Sequence, residues 1–113
     1  MTNVDIQDPD TILAHLRQQA EADEFRVTIH AHQEMVEEYI SLDEIREVLL
    51  DATFVENYPE HRRGPCCLIC KQTSRAKYVH VVCTTTLERA IIITVYEPRP
   101  PKWVTPFQRG RKT

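Results

Sequence analysis

The sequence lacks most of the features that would divide it or carry it to a membrane. It has two glycines among 113 residues, no Ser/Gly-rich stretch and no internal repeat, which argues against a flexible linker. No window approaches the run of about 18 apolar residues that a membrane-spanning helix needs. The N-terminal stretch MTNVDIQDPD is acidic and does not resemble a signal peptide. We therefore expect one cytoplasmic domain at residues 1–97, followed by an extended, proline-rich, basic tail at 98–113.

Acidic residues are scarce in the second half of the sequence. Residues 61–113 contain only two acids, Glu88 and Glu97, against eleven Lys and Arg, whereas residues 1–60 contain fifteen acids against three bases. One interpretation is that acidic helices cover a basic sheet within one domain and form salt bridges with it. The other is that the basic half binds a polyanion. The two interpretations are compatible.

Helical periodicity dominates the first half. Asp8 followed by Pro9 is typical of an N-cap and first helical residue, and the apolar spacing that follows predicts a helix to about Ala22. Ser41 and Glu44 form the S-x-x-E capping box of another helix. The apolar stripes expected on these two helices are Ile12, Leu13, Leu16 and Ala20, and Leu42, Ile45, Val48 and Leu49.

Strand patterns dominate the rest. FRVTIH (25–30) alternates like a short strand, and AHQEMVEEY (31–39) then predicts two helical turns. The later strands are TFVENY (53–58), CCLICKQ (66–72), KYVHVVCTT (77–85) and RAIIITVYE (89–97). The last of these is the most apolar, which favours a central place in the sheet. The predicted fold class is α+β, with the N-terminal helices packed on one face of a mainly antiparallel sheet of four to five strands.

The stretch YPEHRRGPCCLICK contains three of the four cysteines. On a strand, Cys66 and Cys67 point to opposite faces, and Cys66 and Cys70 lie about 13 Å apart, so no pair on this strand can bind zinc. A site built from Cys83, one strand cysteine and His61 remains open, as does a thiol activated by nearby arginines. We interpret all four cysteines as small, buried core residues.

Several basic and aromatic residues of the second half are candidates for binding a polyanion, because cations neutralise phosphates and aromatic rings stack on bases. The segment from Pro98 onward has five bases and no acid, interleaved with Trp103 and Phe107. Alternatively, Trp103 packs on the surface of the domain and holds this tail against it. The candidate phosphate-binding residues are Arg62, Arg63, Lys71, His80 and Lys102.

Two histidines lie where the first strand meets the second helix. In an extended segment His30 and His32 would share a face, and such a pair suits proton transfer near neutral pH. They are equally compatible with ordinary residues at a helix entry. His80, on a predicted strand, is either a core histidine or an acid.

The segments VTIHAHQEMVEEYISLDEI, ENYPEHRRGPCCLIC, HVVCTTT and IIITVYEPRPPKW resemble the bacterial family of domains of unknown function 4258 (DUF4258), over roughly residues 12–104. The resemblance implies the fold of the RelE, BrnT and MqsR toxins of type II toxin–antitoxin pairs, which are small α+β ribonucleases that act without a metal. It therefore implies an RNA substrate, no cofactor and no membrane, and a cognate zinc-ribbon antitoxin of the MqsA kind.

Metal-independent RNA cleavage needs a base for the ribose 2′-hydroxyl, an acid for the leaving 5′-oxygen and cations for the phosphate. On this hypothesis His30 or His32 acts as base or acid, and Tyr96 positions the phosphate or donates a proton. Arg62, Arg63 and the other basic candidates hold the RNA. The alternative is a non-catalytic module of the same fold that binds nucleic acid or protein.

Overall fold

The structure is a computed structural model that describes residues 4–110, so Arg111 and Lys112 of the expected basic tail lie outside the described residues. Three helices and seven strands form in this range. In chain order they are α1 (Pro9–Glu21), β1 (Phe25–Val27), α2 (Ile29–Glu38), α3 (Leu42–Leu50), β2 (Thr53–Tyr58), β3 (Cys66–Gln72), β4 (Tyr78–Thr84), β5 (Ala90–Tyr96), β6 (Trp103–Thr105) and β7 (Gln108–Arg109).

The caps of the first and third helices are the predicted ones. The Asp8 carboxylate accepts the Asp10 backbone N–H, and Pro9 is the first helical residue of α1. Ser41 and Glu44 form both bonds of the capping box at the start of α3. These local contacts satisfy backbone N–H groups that a helix leaves unpaired at its start.

The predicted strand over 25–30 is too long. Thr28 is the N-cap of α2, and its hydroxyl accepts the Ala31 N–H at 3.1 Å. The strand therefore ends at Val27, and His30 belongs to the first turn of a helix. The prediction extended the strand too far because Ile29, the first residue of α2, is apolar and so continues the alternation of Phe25 and Val27, although its side chain is exposed.

The main sheet has the order β1-β5-β4-β3-β2. The predicted α+β fold class is confirmed: β2 to β5 form an antiparallel meander, and β1 adds a fifth strand parallel to β5. The central strand is β4, and the prediction that β5 is central was wrong. β5 is partly exposed because its outer neighbour β1 is only three residues long, whereas β4 is buried at all but its first position.

All three helices pack on one face of this sheet. Their buried residues, including Leu16, Met35 and Val48, contact sheet residues such as Cys67 and Val81 in one apolar cluster. Alternation along β3 sends Cys66 to a second, smaller cluster on the opposite face. None of the helices within residues 4–110 has the length and apolar character that crossing a bilayer requires.

A hairpin of β6 and β7 covers part of that opposite face. Trp103 is 2% exposed and packs edge-on against the ring of His80, with 4.5 Å between centroids. The Arg109 guanidinium lies 4.7 Å above the Trp103 ring and donates two bonds to the Glu56 carboxylate, at 2.6 and 2.8 Å. The proline-rich segment is therefore folded against the sheet through these contacts.

Candidate functional site

A cleft of about 400 Å³ opens where the start of α2 meets the β2–β3 loop and the middle of β5. Two histidines and two arginines face it, together with two threonine side chains and one aliphatic one. Its lining residues are Thr28, His30, His61, Arg62, Arg63, Ile93 and Thr94. The cleft thus combines two imidazole and two guanidinium groups in one concave surface.

The β2–β3 loop places its basic residues through two consecutive turns. The His61 N–H bonds to the Tyr58 carbonyl at 3.2 Å, and the Gly64 N–H bonds to the His61 carbonyl at 2.9 Å. Gly64 has a φ of +93°, a conformation that other residues rarely adopt. The turns hold Arg62 and Arg63 at the exposed tip. EHRRGP therefore forms a basic turn that leads into β3.

A β-bulge in β5 shapes the floor of the cleft. The register with β4 shifts between Val82 and Cys83, which leaves one extra residue in β5 beside Thr94. The Thr94 hydroxyl and the Val95 N–H both donate to the Glu34 carboxylate of α2, the second at 3.1 Å. One helical turn later, Glu38 accepts the Glu97 N–H at 2.8 Å. Two carboxylates of α2 thus satisfy the edge of β5 that lies beyond β1.

His30 lies beside the same carboxylate. Its Nε2 is 3.3 Å from Glu34 Oε1, and its side chain is 67% exposed. The two groups form an ion pair when the imidazole is protonated, so Glu34 stabilises the ring after it has accepted a proton. A carboxylate next to an imidazole has this role for the general base of a catalytic triad.

His61 has a different partner. Its Nδ1 accepts the Arg63 backbone N–H at 3.1 Å, which assigns the proton of the neutral ring to Nε2. The two cleft histidines therefore have different neighbours: a carboxylate beside His30 and a backbone N–H on His61 Nδ1. Such a pair can take a proton at one point and donate at another.

The two arginines of the cleft have no acidic partner among residues 4–110. Arg62 and Arg63 are both exposed, with no carboxylate within 4.0 Å. Five other bases of the second half are paired with the chain's own acids. These pairs are Lys71–Asp51 at 3.1 Å, Arg75–Glu44 at 3.7 Å, Lys77–Glu44 at 3.6 Å, Arg99–Glu38 at 2.9 Å and Arg109–Glu56 at 2.6 Å.

His32 lies outside the cleft, and the expectation that His30 and His32 share a face was wrong. Both belong to α2, where residues two apart are rotated by about 200°. His32 instead lines a groove with Phe25 and Met35 on another side of the helix. The expectation failed because it rested on an extended backbone.

Tyr96 and Lys102 line a neighbouring cleft of about 330 Å³, on the other side of Glu34. The Lys102 ammonium lies 5.8 Å from the centre of the Tyr96 ring. Burial raises the pKa of Tyr96 above its usual value, and its hydroxyl lies 3.1 Å from His80 Nδ1. The structure therefore does not bring Tyr96 or Lys102 together with His30.

His80 and Lys71 are also separated from the cleft. His80 is 0% exposed, and its Nε2 lies 2.6 Å from the Pro106 carbonyl in the turn between β6 and β7. Burial lowers the pKa of His80 and favours the neutral ring, so this residue is a core histidine with both nitrogens occupied. Lys71, near the end of β3, forms a salt bridge with Asp51.

All four cysteines are buried, as the packing interpretation predicted. Burial raises the pKa values of the Cys66 and Cys70 thiols to about 11. The pKa of Cys83 is raised by its hydrogen bond with Cys67, directly opposite on β3, and by burial. Thiols with raised pKa values are poor nucleophiles at neutral pH. Residues 4–110 contain no group of three or more His, Cys, Asp or Glu side chains arranged to hold a metal ion.

Sequence reasoning missed the part played by Glu34, Thr94 and His61 in this site. His61 was recognisable from its place beside the two arginines, but it was considered as a possible metal ligand. Glu34 lies four residues after His30, a helical spacing that would have indicated the contact had the helix been predicted to begin at residue 29. Thr94 could not be found, because the bulge that presents it is absent from the hydrophobic pattern.

The fold and the cleft together define a small α+β protein with a histidine–arginine cleft beside the start of its second helix. The family described as "Domain of unknown function (DUF4258)" matches residues 27–97, more than half of the chain, and the chain belongs to this family. The match includes the whole cleft and ends before β6. No curated protein and no solved structure matched the chain.

Proposed function

We propose that this chain is a metal-independent endoribonuclease, acting as the toxin of a type II toxin–antitoxin pair, and that the His30–His61 cleft is its site. The observation that carries the proposal is the convergence of His30, His61, Arg62 and Arg63 on one cleft of about 400 Å³. The resemblance to the RelE, BrnT and MqsR toxins supports the same reaction by analogy of fold alone.

In the proposed reaction His30 is the general base. Its Nδ1 takes the proton of the ribose 2′-hydroxyl, and the 2′-oxygen attacks the adjacent phosphorus to form a cyclic phosphate. The imidazolium that results is stabilised by Glu34, whose carboxylate lies 3.3 Å from Nε2. Because Glu34 is itself held by Thr94 and Val95, its negative charge is in place beside His30 before substrate binds.

His61 is the general acid in its protonated form. Protonation turns Nδ1 from an acceptor into a donor and releases the Arg63 backbone N–H, which then becomes available to the phosphate. The Nε2–H of His61 passes to the 5′-oxygen as its bond to phosphorus breaks. Arg62 and Arg63 offset the charge that develops on the phosphate oxygens.

The test is cleavage of purified messenger RNA in EDTA by the wild-type protein and by the variants His30→Ala, His61→Ala and His32→Ala. We expect the first two to lose about 10²-fold or more in rate, the range typical of general acid–base groups. His32→Ala is the matched control, because His32 is exposed on the same helix but lies outside the cleft.

Unchanged cleavage by His30→Ala and His61→Ala would remove this site, whereas equal losses in all three variants would indicate a general effect on α2. Absence of cleavage by the wild-type protein, together with no growth arrest on expression, would remove the proposed class. A zinc-ribbon antitoxin is the proposed partner, and a small protein with paired C-x-x-C motifs encoded beside this chain would support it.

A non-catalytic nucleic-acid-binding module is the second candidate function. It is favoured by the ion pairs of Lys71, Lys77, Arg99 and Arg109 with the chain's own acids, which reduce the positive charge available for RNA. On this alternative, RNA binds in a salt-sensitive way and more weakly when Arg62 and Arg63 are both changed to Ala, but no cleavage products form.

A further inference from the structure

Cleavage of RNA by the proposed reaction changes the protonation state of the cleft. At its end His30 has gained the proton of the ribose 2′-hydroxyl, and His61 has given its Nε2 proton to the leaving 5′-oxygen. A charged imidazole and a neutral imidazole then lie beside a 2′,3′-cyclic phosphate. These are the acid and the base that opening of the cyclic phosphate by water requires.

The neighbours of His30 stabilise its charged form. Its Nε2 lies 3.3 Å from Glu34 Oε1. The same carboxylate accepts the Thr94 hydroxyl and the Val95 N–H, so its charge is fixed in place. An opposite charge at this distance favours the protonated ring. His30 can therefore hold its proton until a leaving oxygen takes it.

The neighbours of His61 fit a neutral ring. Its Nδ1 accepts the Arg63 backbone N–H at 3.1 Å, which a ring protonated on both nitrogens cannot do. No carboxylate lies within 4.0 Å of the His61 ring in the range 4–110. The two imidazoles of the cleft thus differ in the way that hydrolysis of a cyclic phosphate needs: one is suited to give a proton and the other to take one.

The cleft has a size that suits a single nucleotide. Its volume of about 400 Å³ lies in the lower part of the range of about 300–1,000 Å³ that is typical of small-ligand sites. Arg62 and Arg63 are exposed and can bind the two phosphate oxygens that share the negative charge of a cyclic phosphate. The Ile93 side chain lines the same cleft and can pack against the carbon atoms of the ribose.

We propose that the cleft also hydrolyses nucleoside 2′,3′-cyclic phosphates to 3′-monophosphates, an activity that rests on the proposed function because it uses the same two histidines. The substrates are the cyclic ends that RNA cleavage leaves and free nucleoside 2′,3′-cyclic phosphates. Water is the only co-reactant.

In this reaction the two histidines exchange their roles. His61 Nε2 takes a proton from a water molecule while the water oxygen forms a bond to phosphorus. The bond between phosphorus and O2′ breaks, and O2′ takes the Nδ1 proton of His30. The phosphate stays on O3′. His30 ends neutral and His61 ends charged, which is the state from which cleavage of RNA begins.

The reaction uses the neutral His61 ring that carries its proton on Nδ1. Cleavage of RNA leaves this tautomer directly, because it removes the Nε2 proton. When a free cyclic nucleotide binds, the half-buried ring reaches the same tautomer by exchanging protons with water.

The experiment incubates the wild-type protein with adenosine, cytidine, guanosine and uridine 2′,3′-cyclic phosphates, each alone and in EDTA. Chromatography and phosphorus NMR identify the products. We expect the 3′-monophosphate and, in ¹⁸O-labelled water, one labelled oxygen in each product phosphate.

Three single variants test the two histidines. We expect His30→Ala and His61→Asn each to lose about 10²-fold or more in rate, because each removes an acid–base group. An asparagine oxygen accepts an N–H two residues on, so His61→Asn keeps the bond to Arg63 and the turn around it. His32→Ala is the matched control, because His32 is exposed on the same helix and lies outside the cleft.

A second set of variants tests the phosphate contacts. Changing both Arg62 and Arg63 to Ala should raise KM for the cyclic nucleotides several-fold. Arg89→Ala removes an exposed arginine of the β4–β5 loop that does not line the cleft, and it should leave KM unchanged. Circular dichroism melts that match the wild-type melt verify that the variants are folded.

The results separate this activity from the proposed ribonuclease. Cleavage of messenger RNA without hydrolysis of the free cyclic nucleotides would overturn the hydrolase activity and leave the ribonuclease. Hydrolysis without cleavage of RNA would support the hydrolase activity and remove the ribonuclease. A 2′-monophosphate product, or hydrolysis that persists in His30→Ala and His61→Asn, would also overturn the hydrolase activity of this cleft.

Discussion

Replacing Glu34 with alanine tests the contact on which the cleft depends. The Glu34 carboxylate accepts the Thr94 hydroxyl and the Val95 N–H, and its side chain is only 23% exposed. The change leaves both donors without their protein partner on the outer edge of β5. It does not disturb the packing of Met35 on the inner side of α2.

The expected loss of stability follows from the two hydrogen bonds. A bond to a charged acceptor contributes about 1.5–3 kcal/mol, and partial exposure places each of these two near the lower end, so we expect Glu34→Ala to destabilise the fold by about 3 kcal/mol. The pair with His30 is left out of this figure because the imidazole is largely exposed. For a domain of this size, 1 kcal/mol lowers Tm by roughly 4 °C, so we expect a fall of about 12 °C.

Glu34→Gln removes the negative charge but keeps the size of the side chain and one hydrogen-bond acceptor. The amide oxygen of glutamine can still accept from Thr94 or Val95, so we expect a loss of less than about 1 kcal/mol and a small fall in Tm. Thermal melts followed by circular dichroism at pH 7 measure both variants. The reasoning is refuted by a Glu34→Ala melt within about 3 °C of the wild type, or by equal losses in the two variants.

Two further predictions concern buried groups. Burial raises the pKa values of Cys66 and Cys70 to about 11, so we expect an aromatic disulfide reagent at pH 7 to label the four buried thiols only after denaturant is added; rapid labelling of the folded protein would contradict this. Burial tends to raise the pKa of Glu44, but hydrogen bonds from Thr73 and Ser41 and the charge of Lys77 outweigh it and lower the pKa below 4.5. A carboxylate whose pKa is lower in the folded than in the unfolded protein stabilises the fold fully above the unfolded pKa, and this contribution is lost as the pH falls through the folded pKa. Urea titrations should therefore show the stability difference between wild type and Glu44→Gln shrinking as pH falls below about 4.5. A difference that stays constant from pH 7 to pH 3 would refute the assignment.

Local contacts explain why most of the fold was predictable. The capping box at Ser41 and Glu44 and the cap at Asp8 depend on residues a few positions apart, so the sequence pattern contains them directly. The meander of β2 to β5 followed from alternating apolar residues and short turns. The order at the edge of the sheet was not predictable in this way, because β1 pairs with β5 over more than sixty positions of sequence.

The candidate site was predictable only in part, for a related reason. Arg62 and Arg63 were identified because a basic turn is a local feature. The contact of His30 with Glu34 could be predicted only if the start of α2 was placed correctly. The Thr28 hydroxyl caps that start, and a single capping threonine is a weaker sequence signal than an apolar repeat. The contact of Glu34 with Thr94 required a bulge sixty residues away. Site geometry that depends on such irregularities is lost when only periodicity is considered.

The charge asymmetry of the sequence also has a structural answer. The helices of the first half supply Glu38 and Glu44, and the second half supplies Arg99 and Lys77, in pairs that join the two halves. The interpretation that acidic helices form salt bridges with the basic half is therefore confirmed for these pairs, and a count of bases overstates the cationic surface. Such pairs neutralise much of the positive charge. Arg62 and Arg63, at the tip of the β2–β3 loop, are therefore distinguished by having no acidic partner among residues 4–110 and by lining the cleft with His30 and His61. They carry positive charge beside the two imidazoles of the cleft, and the proposal of a phosphate-ester substrate depends on this combination.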